Sequence, residues 1–297
     1  MHAGQLTISA LTVRALIDDQ FPQWRDLPLQ RVSTSGTVHA IFRIGDGLAA
    51  RFRLQVDDVE SVWSEVRAES EAARELADRT RFATPAPVAL GSPGGDYPMP
   101  WLVQTWLEGT IALDDDPGES EGFAADLGDF ITGVRQIDTR GRRYDSRGRG
   151  GELASHDEWV QECLARSAGL LDVVVLRRIW EEMRELPRGD SPDVMNHGDL
   201  LPGNLLVQNG RLVGVLDVGG LAPADPALDL VCAWHLLEPG PRRVLRERLD
   251  AGEAEWERGK AWAFEQAIGA VWYYVDSNPI FSQVGRRTLE RIVADCG

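Results

Sequence analysis

The chain has 297 residues, 43% of them hydrophobic, and a formal net charge of −16 at pH 7. That length allows a large core and a division into two lobes, and the acidity argues against nucleic acid or an anionic membrane surface as partner while suiting a cationic small molecule. No 18-residue apolar run and no basic, apolar leader appears, and Cys163, Cys232 and Cys296 are odd in number and far apart, so the chain reads as a cytoplasmic protein with free thiols, a monomer or weak dimer.

Ser9 is placed to cap a helix from Ala10 to about Asp19, closed by Phe21-Pro22. Leu27 to Val32 and Val38 to Ile44 read as strands joined by Ser33-Thr34-Ser35-Gly36-Thr37. Such a loop can lay backbone N–H groups over phosphates, which makes Ser35, Gly36 and Thr37 nucleotide-binding candidates. The next strand, Leu48 to Arg53, puts Arg51 and Arg53 on one face; Arg51, between the core-facing Ala50 and Phe52, is the candidate cation for the α/β-phosphates. Val56 to Arg79 is helical by pattern, with Glu69 beside the Ala72, Ala73 and Leu76 stripe as the partner of Arg51, and Glu65, Glu71 and Glu75 as its solvated face. Val88 to Leu90 and Trp101 to Trp106 follow as strands. An interlobe hinge is expected near residues 104–109, where the backbone of Gln104, Trp106 and Leu107 would meet an adenine edge.

Beyond the hinge the chain turns helical. Phe123, Leu127, Phe130, Ile131, Val134 and Ile137 recur at helical spacing, and Asp157 to Leu170 and Val173 to Leu186 read as further helices. Tyr144 to Gly151, with RGRGG, reads as a flexible loop; phosphate binding by its arginines is the less favoured alternative. Helices are then expected at Ala227 to Leu237, Arg242 to Leu249, Glu253 to Val275 and Gln283 to Ala294.

The stretch from Val194 to Trp234 carries the chemistry. His197-Gly198-Asp199-Leu200 opens it, Asn204 follows, and two apolar runs around Asn209-Gly210 form a hairpin signal that delivers Asp217-Val218-Gly219. This matches the phosphoryl-transfer pattern H-x-D-L-x-x-x-N followed by D-x-G, with Gly198 in place of Arg and Val218 in place of Phe. In that pattern Asp199 accepts the proton of the attacking hydroxyl, and Asn204 and Asp217 hold Mg2+ against the phosphates of ATP or GTP. The acceptor pocket has to be built by the helical lobe. Its candidate residues are Trp234, His235 and Glu238 after the motif and Glu265, Tyr273 and Asp276 later, with acids for amines and rings for a sugar or ammonium face.

Through HGDLLPGN (197–204), LDVGG (216–220) and ADPALDL (224–230), the chain resembles the aminoglycoside phosphotransferase family, bacterial small-molecule kinases. A looser likeness runs through FPQW near residue 21, LAARF around Arg51, WLEG at 106–109 and YY-x-x-x-NP at 273–279. The resemblance implies an α+β, bilobal protein-kinase-like fold. Its N-lobe (1–107) would be an antiparallel sheet plus helix, and its larger, mostly helical C-lobe (108–297) would hold the catalytic hairpin. It also implies that Asp199 is the base, that Asn204 and Asp217 bind Mg2+, and that His197, Asp225 and Asp229 support the catalytic loop. Asp225-Pro226 separately reads as a helix N-cap. The family's nucleotide lysine appears as Arg51; since Lys260 is the single lysine among 31 basic residues, Arg51 reads as a tolerated replacement.

The expected function is Mg2+-dependent transfer of a γ-phosphate to a hydroxyl of an aminoglycoside-type antibiotic. The alternatives are a metabolic small-alcohol or sugar kinase on the same scaffold and a nucleotide-binding pseudokinase. Several carboxylates beside Asp199 would mark the first; a tight pocket of mixed polarity would mark the second.

Overall fold

The computed structural model describes residues 6–32, 38–189 and 191–296. The nucleotide-loop candidates Ser35, Gly36 and Thr37 lie outside them. The chain divides into two compact units: Met1–Ala77, Ala83–Glu108 and Leu216–Gly219 form the first, and Asp78–Phe82, Gly109–Val215 and Gly220–Gly297 the second. The division thus falls at 108/109, one residue beyond the expected 107/108, and two short segments depart from it. Leu216–Gly219 joins the first unit, where Asp217 meets Arg51 and Gly219 approaches Glu69. Asp78–Phe82 joins the second, where Arg81 pairs with Asp126.

In the first unit, α1 (Ala10–Gln20) starts where the Ser9 hydroxyl accepts the Thr12 N–H at 3.1 Å and ends at the Pro22 break. A five-stranded antiparallel sheet holds β1 (Leu29–Val32), β2 (His39–Ile44), β3 (Leu48–Arg53), β4 (Pro87–Gly91) and β5 (Trp101–Thr105), in the order β1-β2-β3-β5-β4. Period-two alternation drives Ala40, Phe42 and Ile44 of β2 into the core, where Phe52 stacks on Trp101 at 4.7 Å and meets Phe42 edge-on. Val13, Leu16 and Ile17 of α1 close that core. The helix α2 (Val59–Leu76) is capped by Asp58, whose carboxylate accepts the Ser61 N–H at 2.9 Å. Glu65, read as solvated, pairs with Arg53.

The second unit begins with β6 (Thr110–Ile111), α3 (Glu121–Arg135), α4 (Asp157–Arg166) and α5 (Val173–Met183). There follow β7 (Val194–Asn196), β8 (Leu205–Gln208), β9 (Arg211–Val215) and β10 (Ala222–Ala224), then α6 (Cys232–His235), α7 (Pro239–Leu249), α8 (Glu253–Tyr273) and α9 (Pro279–Asp295). β6, β8 and β9 form one antiparallel sheet and β7 pairs with β10. The helix expected from Ala227 is a 3-10 turn over Pro226–Val231 followed by the four-residue α6. The β8–β9 turn puts Asn209 and Gly210 at φ +53° and +68°, the left-handed pair that a two-residue hairpin requires. The hairpin is clamped to α3: the buried Asp126 carboxylate accepts from Arg211 Nε at 2.6 Å and from the Leu212 N–H at 3.3 Å. Among the described residues, no helix is long and apolar enough to cross a membrane.

Candidate active site

The loop between β7 and β8 is fixed from below. Asp229, fully buried, accepts the His197 N–H at 2.7 Å and the Gly198 N–H at 2.8 Å. Burial pushes its carboxyl above the usual range, while the nearby His197 and those two bonds pull the other way. Asp225 caps the following turn by accepting the Ala227 N–H at 3.0 Å, and its other oxygen takes Arg258 Nε at 2.7 Å. Arg258, itself buried, reaches on to the Leu186 and Gly151 carbonyls. His197 is sealed against Phe130 and accepts the Asp199 N–H at its Nδ1, 3.3 Å away.

Gly198 has φ +82° and lies against the Gly220 carbonyl, while a Cβ on Gly220 would come within 2.9 Å of the His197 oxygen. This backbone conformation is why glycine stands where the pattern has arginine. Above it, Asn204 Nδ2 donates to the Asp199 carbonyl at 2.9 Å and to Asp199 Oδ2 at 2.8 Å. The amide nitrogen is committed to Asp199, so the amide oxygen turns the other way, and an amide oxygen suits a hard divalent cation.

Within the first unit, Arg51 ion-pairs with Glu69 through one guanidinium nitrogen and approaches Asp217 Oδ1 at 3.4 Å with another. Burial raises the Glu69 pKa; Arg51 opposes that rise and Asp217 adds to it. Asp217 has φ +56° and a half-exposed carboxylate, and Val218 behind it is buried. An amide oxygen such as that of Asn204 and a carboxylate such as that of Asp217 are both donor types that suit Mg2+.

Of the hinge candidates, Gln104 lies in the inner strand β5, where its neighbours are Ala49 on one side and Pro87 on the other. Trp106 donates its N–H to the Gly47 carbonyl at 2.8 Å and its ring lies under Arg43.

A cleft of about 420 Å³ in the second unit is lined by Asp199 and by His235, Glu265 and Tyr273 of the acceptor candidates. The other three are elsewhere. Trp234 is a core residue, packed on Trp256 with its Nε1 donating to Asp295. Glu238 pairs with Arg291, and Asp276 is exposed off the cleft. Trp159, Gln266, Tyr274 and Phe281 also line the cleft and were not read from the sequence as acceptor residues; Arg149, which joins them, was read only as a less favoured phosphate-binding alternative.

The polar wall of this cleft forms a chain. The Thr288 hydroxyl donates to the Val284 carbonyl and accepts His235 Nδ1–H at 2.9 Å. Burial pulls the His235 pKa down to about 4, so the ring is neutral and offers a lone pair at Nε2. Gln266 must then turn its amide nitrogen to Nε2 at 2.8 Å, which places its oxygen 2.9 Å from Arg149 Nε. Glu265, 4% exposed, faces His156 Nδ1 at 3.1 Å and Arg149 at 3.6 Å.

The antiparallel sheet with its helix, the Asp-Asn loop and the hairpin define a kinase-like phosphotransferase scaffold. A family model described as "Phosphotransferase enzyme family" matches residues 31–262, and the chain belongs to that family. An aminoglycoside 3'-phosphotransferase of Escherichia coli is 27% identical over 143 residues, 46% of this chain and 52% of its own length; a second from that organism is 42% identical over 86 residues, covering 28% and 31%. The chain thus spans about half or less of these curated relatives. Among solved structures, the GDP complex of aminoglycoside 2'-phosphotransferase-IIIa superposes with a TM-score of 0.71 at 15% identity, over 98% of this chain and 100% of that one. The macrolide 2'-phosphotransferase of Brachybacterium faecium gives 0.59 at 19%, over 93% and 96%. At these identities the superpositions establish a shared fold.

Proposed function

We propose that the protein transfers the γ-phosphate of ATP or GTP to a hydroxyl of a small molecule, with Mg2+. The observation that carries this is Asp199 held by Asn204 through its own side-chain and backbone oxygens on a loop tied down by Asp229. The acceptor oxygen bonds to the γ-phosphorus as the bond to the β,γ-bridging oxygen breaks, and Asp199 takes the hydroxyl proton. Asn204 fixes the rotamer of that carboxylate. Asn204 and Asp217 would hold Mg2+, which would supply neutralisation of charge on the transferring group. Arg51, positioned by Glu69, binds the nucleotide phosphates, and Leu107 meets the base. The intact Asp199, Asn204 and Asp217 weigh against a pseudokinase.

Two acceptor classes stand. An aminoglycoside hydroxyl is supported by the curated relatives and by a solved relative with kanamycin bound. A small-alcohol acceptor of mixed polarity is favoured by the cleft itself, where among the described residues Glu265 is the one carboxylate besides Asp199 and already faces Arg149 and His156. Nucleotide consumption against aminoglycosides, macrolides and small alcohols separates them. With the acceptor that responds, Asp199→Asn is expected to cut turnover by roughly 10²-fold or more while nucleotide affinity holds. Near-wild-type turnover in that variant would remove Asp199 from the base role.

A further inference from the structure

A second hollow, about 490 Å³, opens beside Asp199 in the same unit. Its wall is lined by Arg142, Arg143, Arg147 and Arg149 and by Asp145 and Asp199, with the Arg142 guanidinium bonded to the Thr139 carbonyl and Arg149 facing Glu265. Asp193, next to this wall, is bound by Arg188, which with Arg143 holds its carboxyl below the usual range against the pull of burial. In a chain with a net charge of −16, this concentration of guanidinium groups beside the catalytic carboxylate is the reverse of what an ammonium-rich acceptor needs.

The arginines are not on a loose tether. Residues 144–151, read from the sequence as a flexible loop, are bonded within themselves and to His156, and at Gly150 and Gly151 to the base of the catalytic loop. Gly148 O accepts from Tyr144 Oη and lies 3.2 Å from His156 Nε2, and Gly150 O accepts the Asp225 N–H at 2.9 Å. Gly151 O accepts Arg258 Nη2 at 2.8 Å. Gly150, at φ +104°, has the Ala224 Cβ 2.6 Å from where its own Cβ would be, so glycine is required for this approach. The Arg147 N–H is donated to Asp145 Oδ1 at 2.9 Å. Arg149 belongs to both hollows, as Asp199 does, and is oriented by the Gln266 amide oxygen.

We infer that the acceptor carries an anionic group, of the phosphate or carboxylate class, which the arginines of residues 142–149 hold while its hydroxyl meets Asp199. Guanidinium forks match both oxyanions bidentately, whereas an ammonium in the same hollow is repelled. The apolar remainder of the acceptor lies along the first cleft toward Trp159 and Tyr273. This rests on the phosphotransferase reading and names its substrate class.

The test is calorimetric titration of the full chain with ribose 5-phosphate, gluconate, neutral ribose and kanamycin, and separately with a non-hydrolysable ATP analogue plus Mg2+. At least one of the two anions is expected to bind tenfold or more tighter than ribose and than kanamycin, and which one does so names the oxyanion. The paired change Arg143→Ala with Arg147→Ala should abolish that preference, Arg143→Lys with Arg147→Lys should retain most of it, and affinity for the ATP analogue should shift less than twofold. Anions binding no tighter than ribose, kanamycin binding tightest, or the alanine pair weakening the ATP analogue in place of the anions would each overturn the inference. The ATP analogue failing to bind the unaltered chain would overturn the phosphotransferase reading, and this inference with it.

Discussion

Arg51 shows how much one side chain decides. Its guanidinium spans two carboxylates at once, Glu69 and Asp217, where a lysine in its place has a single ammonium to offer. Arg51→Ala is expected to weaken nucleotide binding by roughly 10- to 150-fold, the loss of one or two charge-assisted bonds worth about 1.5–3 kcal/mol, read by titration with a fluorescent nucleotide. Unchanged affinity would assign the phosphates to another residue. Asp217→Ala is expected to abolish Mg2+-dependent turnover; turnover that persists with the same Mg2+ half-saturation would exclude Asp217 as a ligand. The pairing of Arg51 with Glu69 was legible because strand alternation and helical spacing each put one partner on a definite face. Trp234 was misread because a tryptophan suits a core and a sugar face equally, and only packing on Trp256 decides.

Among the elements, the β8–β9 hairpin was clear in the sequence because Asn-Gly between apolar runs has few other uses. It starts at Leu205, next to Asn204, and ends at Val215, two residues before Asp217, so its register governs both metal candidates. Gly210 has φ +68°, and a Cβ there would meet nothing nearer than Ser120 Oγ at 3.7 Å. Gly210→Ala should therefore cost conformational energy without a clash, about 1–2 kcal/mol, seen as a lower urea midpoint with an unchanged slope. A loss below about 0.3 kcal/mol would mean that the turn relaxes into another type. The acceptor wall was harder to read. α8 is buried on most of its faces, so hydrophobic periodicity does not mark which residues reach the cleft, and α4, α8 and α9 supply its lining from distant parts of the chain. The short β6, β7 and β10 were missed because runs of two or three residues carry no pattern.

For the whole molecule, acidity is the property most visible in the sequence and the one that misleads about the site. The net −16 suggested a cationic acceptor, yet the hollow that includes Asp199 is lined by four arginines from a stretch whose anchoring bonds no local pattern announces. Stability against pH should likewise follow particular buried groups more than net charge. His235 has an ordinary pKa of 6.5 and is pulled to about 4 in the folded chain, by burial first and then by Arg149 and Arg291. Below pH 6.5 the unfolded chain takes up a proton at this ring that the folded chain refuses until about pH 4. Its contribution is thus full above 6.5, falls across that interval and levels off beneath it. His39, pulled to about 3 by burial and Arg51, adds a similar slope that extends lower. Asp126 and Asp193, held down by Arg211 and Arg188 against the opposing effect of burial, lose stability only once pH drops below the ordinary carboxylate value of 3.8. Between about pH 7 and 4.5 the histidines lose stability while Glu69 and Asp229, whose carboxyls burial raises, act in the opposite direction, so the difference between variant and wild type isolates His235. Between those limits His235 alone should cost about 2–3 kcal/mol, and His235→Gln should flatten the wild-type loss of unfolding free energy by that amount. If the variant and the wild type lose stability in parallel across this interval, His235 titrates normally in the folded chain, and the neutral ring that turns Gln266 toward Arg149 is not there.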